Sequence, residues 1–61
     1  MLKLKVGTLI YDRYDEEWGI ILEVEREQEY NTWYKTVWSE SFDQSLDSND
    51  FDTDRFELYE V

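Results

Sequence analysis

The sequence predicts an all-β domain, a small five-stranded barrel with one long acidic loop. Three observations point there. Short runs of β-branched and aromatic residues recur with period-two alternation. No stretch carries an apolar stripe at helical spacing. The chain has 61 residues, enough for one domain spanning 1–61 and no more, and closure into a barrel is the economical way to remove exposed strand edges.

The first run places Leu2, Leu4 and Val6 on one face, alternating with Lys3 and Lys5. Two lysines on an edge strand discourage edge-to-edge pairing. Gly7 interrupts the alternation, which predicts a bulge or bend, and Thr8–Tyr11 continues as strand. Asp12–Glu17 reads as a charged loop. The central strand is Trp18–Glu25, with Trp18, Ile20, Leu22 and Val24 on one parity and Gly19, Glu23 and Glu25 on the other. The first set is expected to face the core, with the other segments packing on this strand. Gly19 predicts a close backbone approach or a twist. Glu25–Glu29 leads into a hairpin loop with Asn31 as a turn residue.

Thr32–Trp38 is β-branched or aromatic at every position except Lys35. Trp33 and Val37 occupy one face, Tyr34, Thr36 and Trp38 the other, so both faces of this strand carry bulk. Ser39–Thr53 is rich in Ser, Asp and Asn and reads as a long loop, interrupted by a short strand around Phe42. Asp54–Phe56 is expected to form a helical turn, and Glu57–Val61 the last strand.

Composition excludes several functions. Six Lys and Arg against sixteen Asp and Glu give a formal charge of −10. That charge repels nucleic acid and anionic membrane, because phosphate binding works by cations that release counterions. It is compatible with a basic protein partner, and equally with solubility alone. The chain has no Cys and no His, so disulfides and the usual zinc or haem ligand sets are absent and no cofactor is expected. No apolar run approaches the ~20 residues that span a bilayer. The N-terminus lacks the apolar region of a secretory signal, so assembly in the cytoplasm is expected.

No constellation carries obvious chemistry. Carboxylate pairs such as Asp15 with Glu17 are common by chance in so acidic a chain. Catalysis needs a shaped pocket and tuned groups, and no nucleophile with a partner base is visible; a non-enzymatic role is expected. Asp50-Phe51-Asp52-Thr53-Asp54 starts like a calcium loop. Position 6 would then be Arg55 instead of Gly, and position 12 Val61 instead of Glu, which excludes an EF-hand.

Four segments in order, VGTLIYD (Val6–Asp12), WGIILEVE (Trp18–Glu25), YKTVWS (Tyr34–Ser39) and the terminal FELYEV, resemble the small SH3-like barrel proteins encoded by tailed bacteriophages. The resemblance covers most of the chain. The chain departs from that pattern at Thr8, where an Asp usually follows the Gly, and in the long Asp-rich stretch after Trp38. What the resemblance implies is a structural protein of the virion: a capsid decoration or cement protein, or a neck or tail component, docking on other virion proteins. It also implies a shallow peptide groove near the first long loop, with Tyr11 and Tyr14 as contacts. Aromatics are enriched at interface hot spots, so Trp33 and Tyr34 join them as candidate partner-binding residues, with Asp43, Asp47 and Asp50 of the acidic stretch. Most aromatics in so small a chain serve the core, and Tyr14, between Arg13 and Asp15, is the one least suited to it.

A second expectation is a soluble DNA mimic that inhibits a DNA-binding host enzyme. Glu40, Asp43, Asp47, Asp50, Asp52 and Asp54, with Glu23, Glu25, Glu27 and Glu29, would present carboxylates where such an enzyme meets phosphates.

Overall fold

The computed structural model of the chain describes residues 3–60. Five antiparallel strands form one open sheet: β1 (Leu9–Asp12), β2 (Glu17–Glu27), β3 (Thr32–Trp38), β4 (Gln44–Asp47) and β5 (Phe56–Tyr59), in the spatial order β4-β3-β2-β1-β5. The all-β expectation holds in that form, and the sheet is not closed. A short 3-10 helix, Ser48–Asp52, links β4 to β5.

The first predicted strand is corrected. Residues 3–8 are not in a strand, Leu4 is buried and Val6 is exposed; Leu2 lies outside the described residues. Gly7 turns the chain with φ 95°, a region open to glycine. Its N–H donates to the Ile21 carbonyl at 2.8 Å, and the Thr8 N–H donates to the Lys5 carbonyl at 3.1 Å. The Leu4 N–H donates to the Tyr34 hydroxyl at 3.0 Å, which ties this segment to the core.

β2 is the long central strand, but it presents the other face. Glu17, Gly19 and Ile21 are buried, while Trp18, Ile20 and Leu22 are exposed. Two irregularities in the β2–β3 ladder, between Ile21 and Glu23 and between Val24 and Arg26, break strict alternation. The first lets Ile21 and Val24 both reach the core although their numbers differ in parity. Gly19 is pinned to the inner face because Trp38 lies against it. A Cβ built there would sit 2.5 Å from the indole Cε3.

The predicted long loop is also corrected. β4 and the 3-10 helix occupy most of it, and Phe42 is 93% exposed, outside any strand. The helical turn expected at Asp54–Phe56 falls earlier because Asp47 caps it. The Asp47 carboxylate accepts the N–H groups of Asn49 and Asp50, and the Asp50 carboxylate accepts the Asp47 N–H in return. This cap seats Phe51 in the core. β5 starts at Phe56 and ends at Tyr59; Val61 lies outside the described residues.

Leu4, Ile10, Ile21, Tyr34, Trp38 and Phe51 form the core, with Val24, Leu46, Phe56 and Leu58 packed against it. An aromatic chain runs through it: Tyr34 to Phe51 at 6.0 Å, Phe51 to Phe56 at 5.4 Å and Phe56 to Trp38 at 6.0 Å between ring centroids. Edge and tilted geometries of this kind suit the ring quadrupoles.

Candidate docking surfaces

The outer face of the sheet carries a second apolar cluster. In the strand registers, Val37 lies beside Ile20, Ile20 beside Leu9 and Leu9 beside Tyr59. The next row sets Trp18 beside Tyr11. The Trp18 ring stands 5.0 Å from Tyr11 and 5.5 Å from Tyr59. Trp18 and Tyr59 are each 47% exposed and Leu22 is 50% exposed. A shallow apolar hollow of about 320 Å³ opens beside Trp18, between Leu9, Ile20 and Val37. Partial loss of water around its ring, then the Glu57 carboxylate, raise the Tyr59 phenol above its usual pKa.

Charges at the border of this face come in opposite signs. The Arg13 guanidinium lies 3.3 Å from the Glu57 carboxylate. Lys35 stands opposite Glu23 in the β2–β3 ladder. The Arg26 guanidinium covers the Trp33 ring at 5.5 Å.

A second surface is organised by Arg55. Its Nε donates to Asp12 Oδ1 at 3.0 Å and its Nη2 to Asp12 Oδ2 at 2.8 Å, a bidentate pair. The same guanidinium lies 5.1 Å from the Tyr14 ring centroid and 5.2 Å from that of Phe56. Beside it is a groove of about 400 Å³ bounded by Tyr14, Leu46, Asp50 and Phe56. The Arg55 donors hold the Asp12 carboxyl below the usual range; burial opposes them, and the N–H groups of Tyr14 and Asp15 add to them. Asp12 in turn raises the Arg55 pKa.

Glu17 is the second buried carboxylate among the described residues. Burial works against its charge, but the Ser41 hydroxyl at 2.8 Å and the Glu40 N–H at 2.7 Å outweigh burial and hold its pKa below the ordinary value. Its role is to fasten the segment after β3 to the start of β2.

The sequence-derived candidates therefore scatter. Tyr11 belongs to the outer apolar cluster. Tyr14 and Asp50 meet at the Arg55 groove. Trp33 is half-buried at the edge of the outer face under Arg26. Tyr34 is corrected as a contact residue: it is 0% exposed, with its hydroxyl taken up by Leu4. Asp43 is exposed between β3 and β4, and Asp47 and Asp50 are engaged in the helix cap. Asp50, Asp52 and Asp54 form no metal-holding group; among the described residues no three acidic side chains are placed to hold a metal ion.

Leu9, Trp18, Ile20, Val37 and Tyr59 are absent from the sequence-derived candidates. Their alternation was visible, but alternation does not say which face is covered.

The chain matches no family model, no curated protein and no solved structure. No helix among the described residues is long and apolar enough to cross a membrane.

Proposed function

We propose that the chain is a non-enzymatic structural protein that docks in a larger protein assembly through the outer face of its sheet. The observation that carries this reading is the Val37–Ile20–Leu9–Tyr59 row with Trp18 and Tyr11 beside it. An apolar patch of this kind on a chain with a formal charge of −10 has no role in solubility. Patches rimmed by polar residues mark protein contacts, and Trp and Tyr supply much of the energy at such contacts.

The assembly we propose is a tailed-phage particle, and the fold an SH3-like barrel. The strand order, with a 3-10 helix between β4 and β5, supports the fold, as does a long β2 with two irregularities that bend it. The phage assignment rests on the resemblance of the four motifs.

The test is sedimentation of washed, intact particles from an infected host, followed by immunodetection. The protein is expected in the particle fraction and is expected to stay there through a high-salt wash, because apolar contacts are not screened. Its absence from washed particles overturns the assignment. Release by salt alone would transfer the contact from the apolar face to the acidic surface.

A further inference from the structure

We infer that the occupant of the outer sheet face is a second copy of this chain, packed sheet to sheet about a twofold axis. The inference rests on the reading of that face as a protein contact and names what covers it.

A sheet with an apolar face is stable when that face is buried against another layer. The inner face has its layer in Leu4, Phe51 and the residues around them. On the outer face Leu9, Trp18, Ile20, Leu22 and Tyr59 are exposed. The row from Val37 to Tyr59 crosses four strands, roughly 15 Å at ordinary strand spacing. Two such sheets stack about 10 Å apart, with strands turned by about 30°. A standard interface takes about 800 Å² from each partner. That is about a fifth of the 4295 Å² that this chain exposes.

Charge selects a second copy over a basic partner. The chain as a whole is strongly negative, yet three of its six cations, Arg13, Arg26 and Lys35, border this face. Arg13 is paired with Glu57, and Lys35 faces Glu23. A basic protein would be drawn to the rest of the surface. A border of both signs is self-complementary under a twofold, in which each contact occurs twice. A twofold lying close to the strand direction keeps the strands of the two copies near that crossing angle and sets this mixed border against itself. The hollow between Leu9, Trp18, Ile20 and Val37 is then open to an apolar side chain of the facing copy. Pairing also offsets the marginal stability of a domain this small.

The test is sedimentation equilibrium of the full chain from about 1 µM to about 500 µM, a range over which mass action populates a dimer. The expected result is a mass near twice the 7.6 kDa of one chain, favoured further by added salt, which screens the like net charge. Leu9→Lys with Ile20→Lys is expected to weaken the dimer by at least about 100-fold while leaving the far-UV CD spectrum unchanged. Phe42→Ser, at an exposed position outside the face, is expected to leave the mass as it is. Should the lysine variant fail to fold, isotope-filtered NOEs in a mixed labelled and unlabelled sample report the contact directly, between the Leu9 and Ile20 methyls and the Trp18 or Tyr59 rings. A single-chain mass throughout overturns the second copy, as does a folded lysine variant that still dimerises. A single-chain protein that binds its particle through Leu9 and Ile20 leaves the docking reading standing without the dimer. A single-chain protein whose particle binding ignores that pair removes both.

Discussion

Asp12 is the residue on which the most polar geometry converges. It closes the turn after β1 by accepting from Tyr14 and Asp15, and it holds Arg55 at the start of β5. Its carboxyl is buried and its pKa is depressed in the folded chain. A depressed carboxylate contributes stability that is present above its unfolded value of about 3.9 and is lost as pH falls through the lower folded value. Asp12→Asn keeps the shape but loses the charge. It is expected to cost about 2 kcal/mol at neutral pH, held to that size by the partly exposed Arg55 partner. In a domain of this length that lowers the melting temperature by roughly 10 °C. Thermal melts from pH 7 down to about pH 2 check the sign: the difference between wild type and variant should shrink below about pH 4. A difference that stays constant into acid would show that Asp12 contributes through hydrogen bonds that Asn cannot reproduce and not through its charge.

At the scale of elements, β2 and β3 form the spine of the sheet, and Gly19 sets which way β2 faces. Trp38 packs flat against Gly19 on one side and is backed by Phe56 at 6.0 Å. The indole is rigid and has nowhere to withdraw. Gly19→Ala would ordinarily gain about 0.5–1 kcal/mol in a regular element. Here the added methyl overlaps the ring, and overpacking costs about 1–3 kcal/mol. Chemical denaturation is expected to show a net loss of stability, together with a changed near-UV CD signal from the displaced Trp38. An unchanged or raised midpoint would mean that Trp38 is not held where the packing places it. The same contact explains the turned face of β2. With Gly19 under Trp38 and Glu17 captured by Ser41 and Glu40, Trp18 and Ile20 have only the outer face left.

The whole molecule carries its charge unevenly. Sixteen acidic residues against six basic ones repel each other through the folded chain, and net charge far from zero works against compactness. The ion pairs Lys3–Glu27 and Arg13–Glu57 are exposed and contribute little. Raising sodium chloride from about 20 mM to about 500 mM shortens the screening length severalfold. It is therefore expected to raise the melting temperature at fixed protein concentration. A fall with salt would show that the pairs around Arg55 outweigh the general repulsion. The concentration must be held constant, because a dimer would also raise the melting temperature by mass action.

The class, the location of β3, the hairpin into it and the bend at Gly7 are written locally in the chain. Each of these follows from local rules: β-branched and aromatic density over Thr32–Trp38, polar turn residues before it, and a glycine where φ is positive. The sequence also exposed an acidic, cysteine-free chain without a visible set of reacting groups. Which face of β2 is the core depends on packing between distant segments, because apolar residues stand on both parities and an irregularity after Ile21 shifts the count. Packing likewise makes Tyr34 core and leaves Tyr11 half-buried on the outer face, since propensity is the same for both. The Asp-rich stretch resolved into β4 and a capped 3-10 helix through contacts distant in sequence, among them the Asn31 amide donating to Asp47 and Phe51 seated against Tyr34. The outer apolar face was legible as alternation and not as exposure. Alternation is a property of one strand, whereas exposure depends on what every other strand covers.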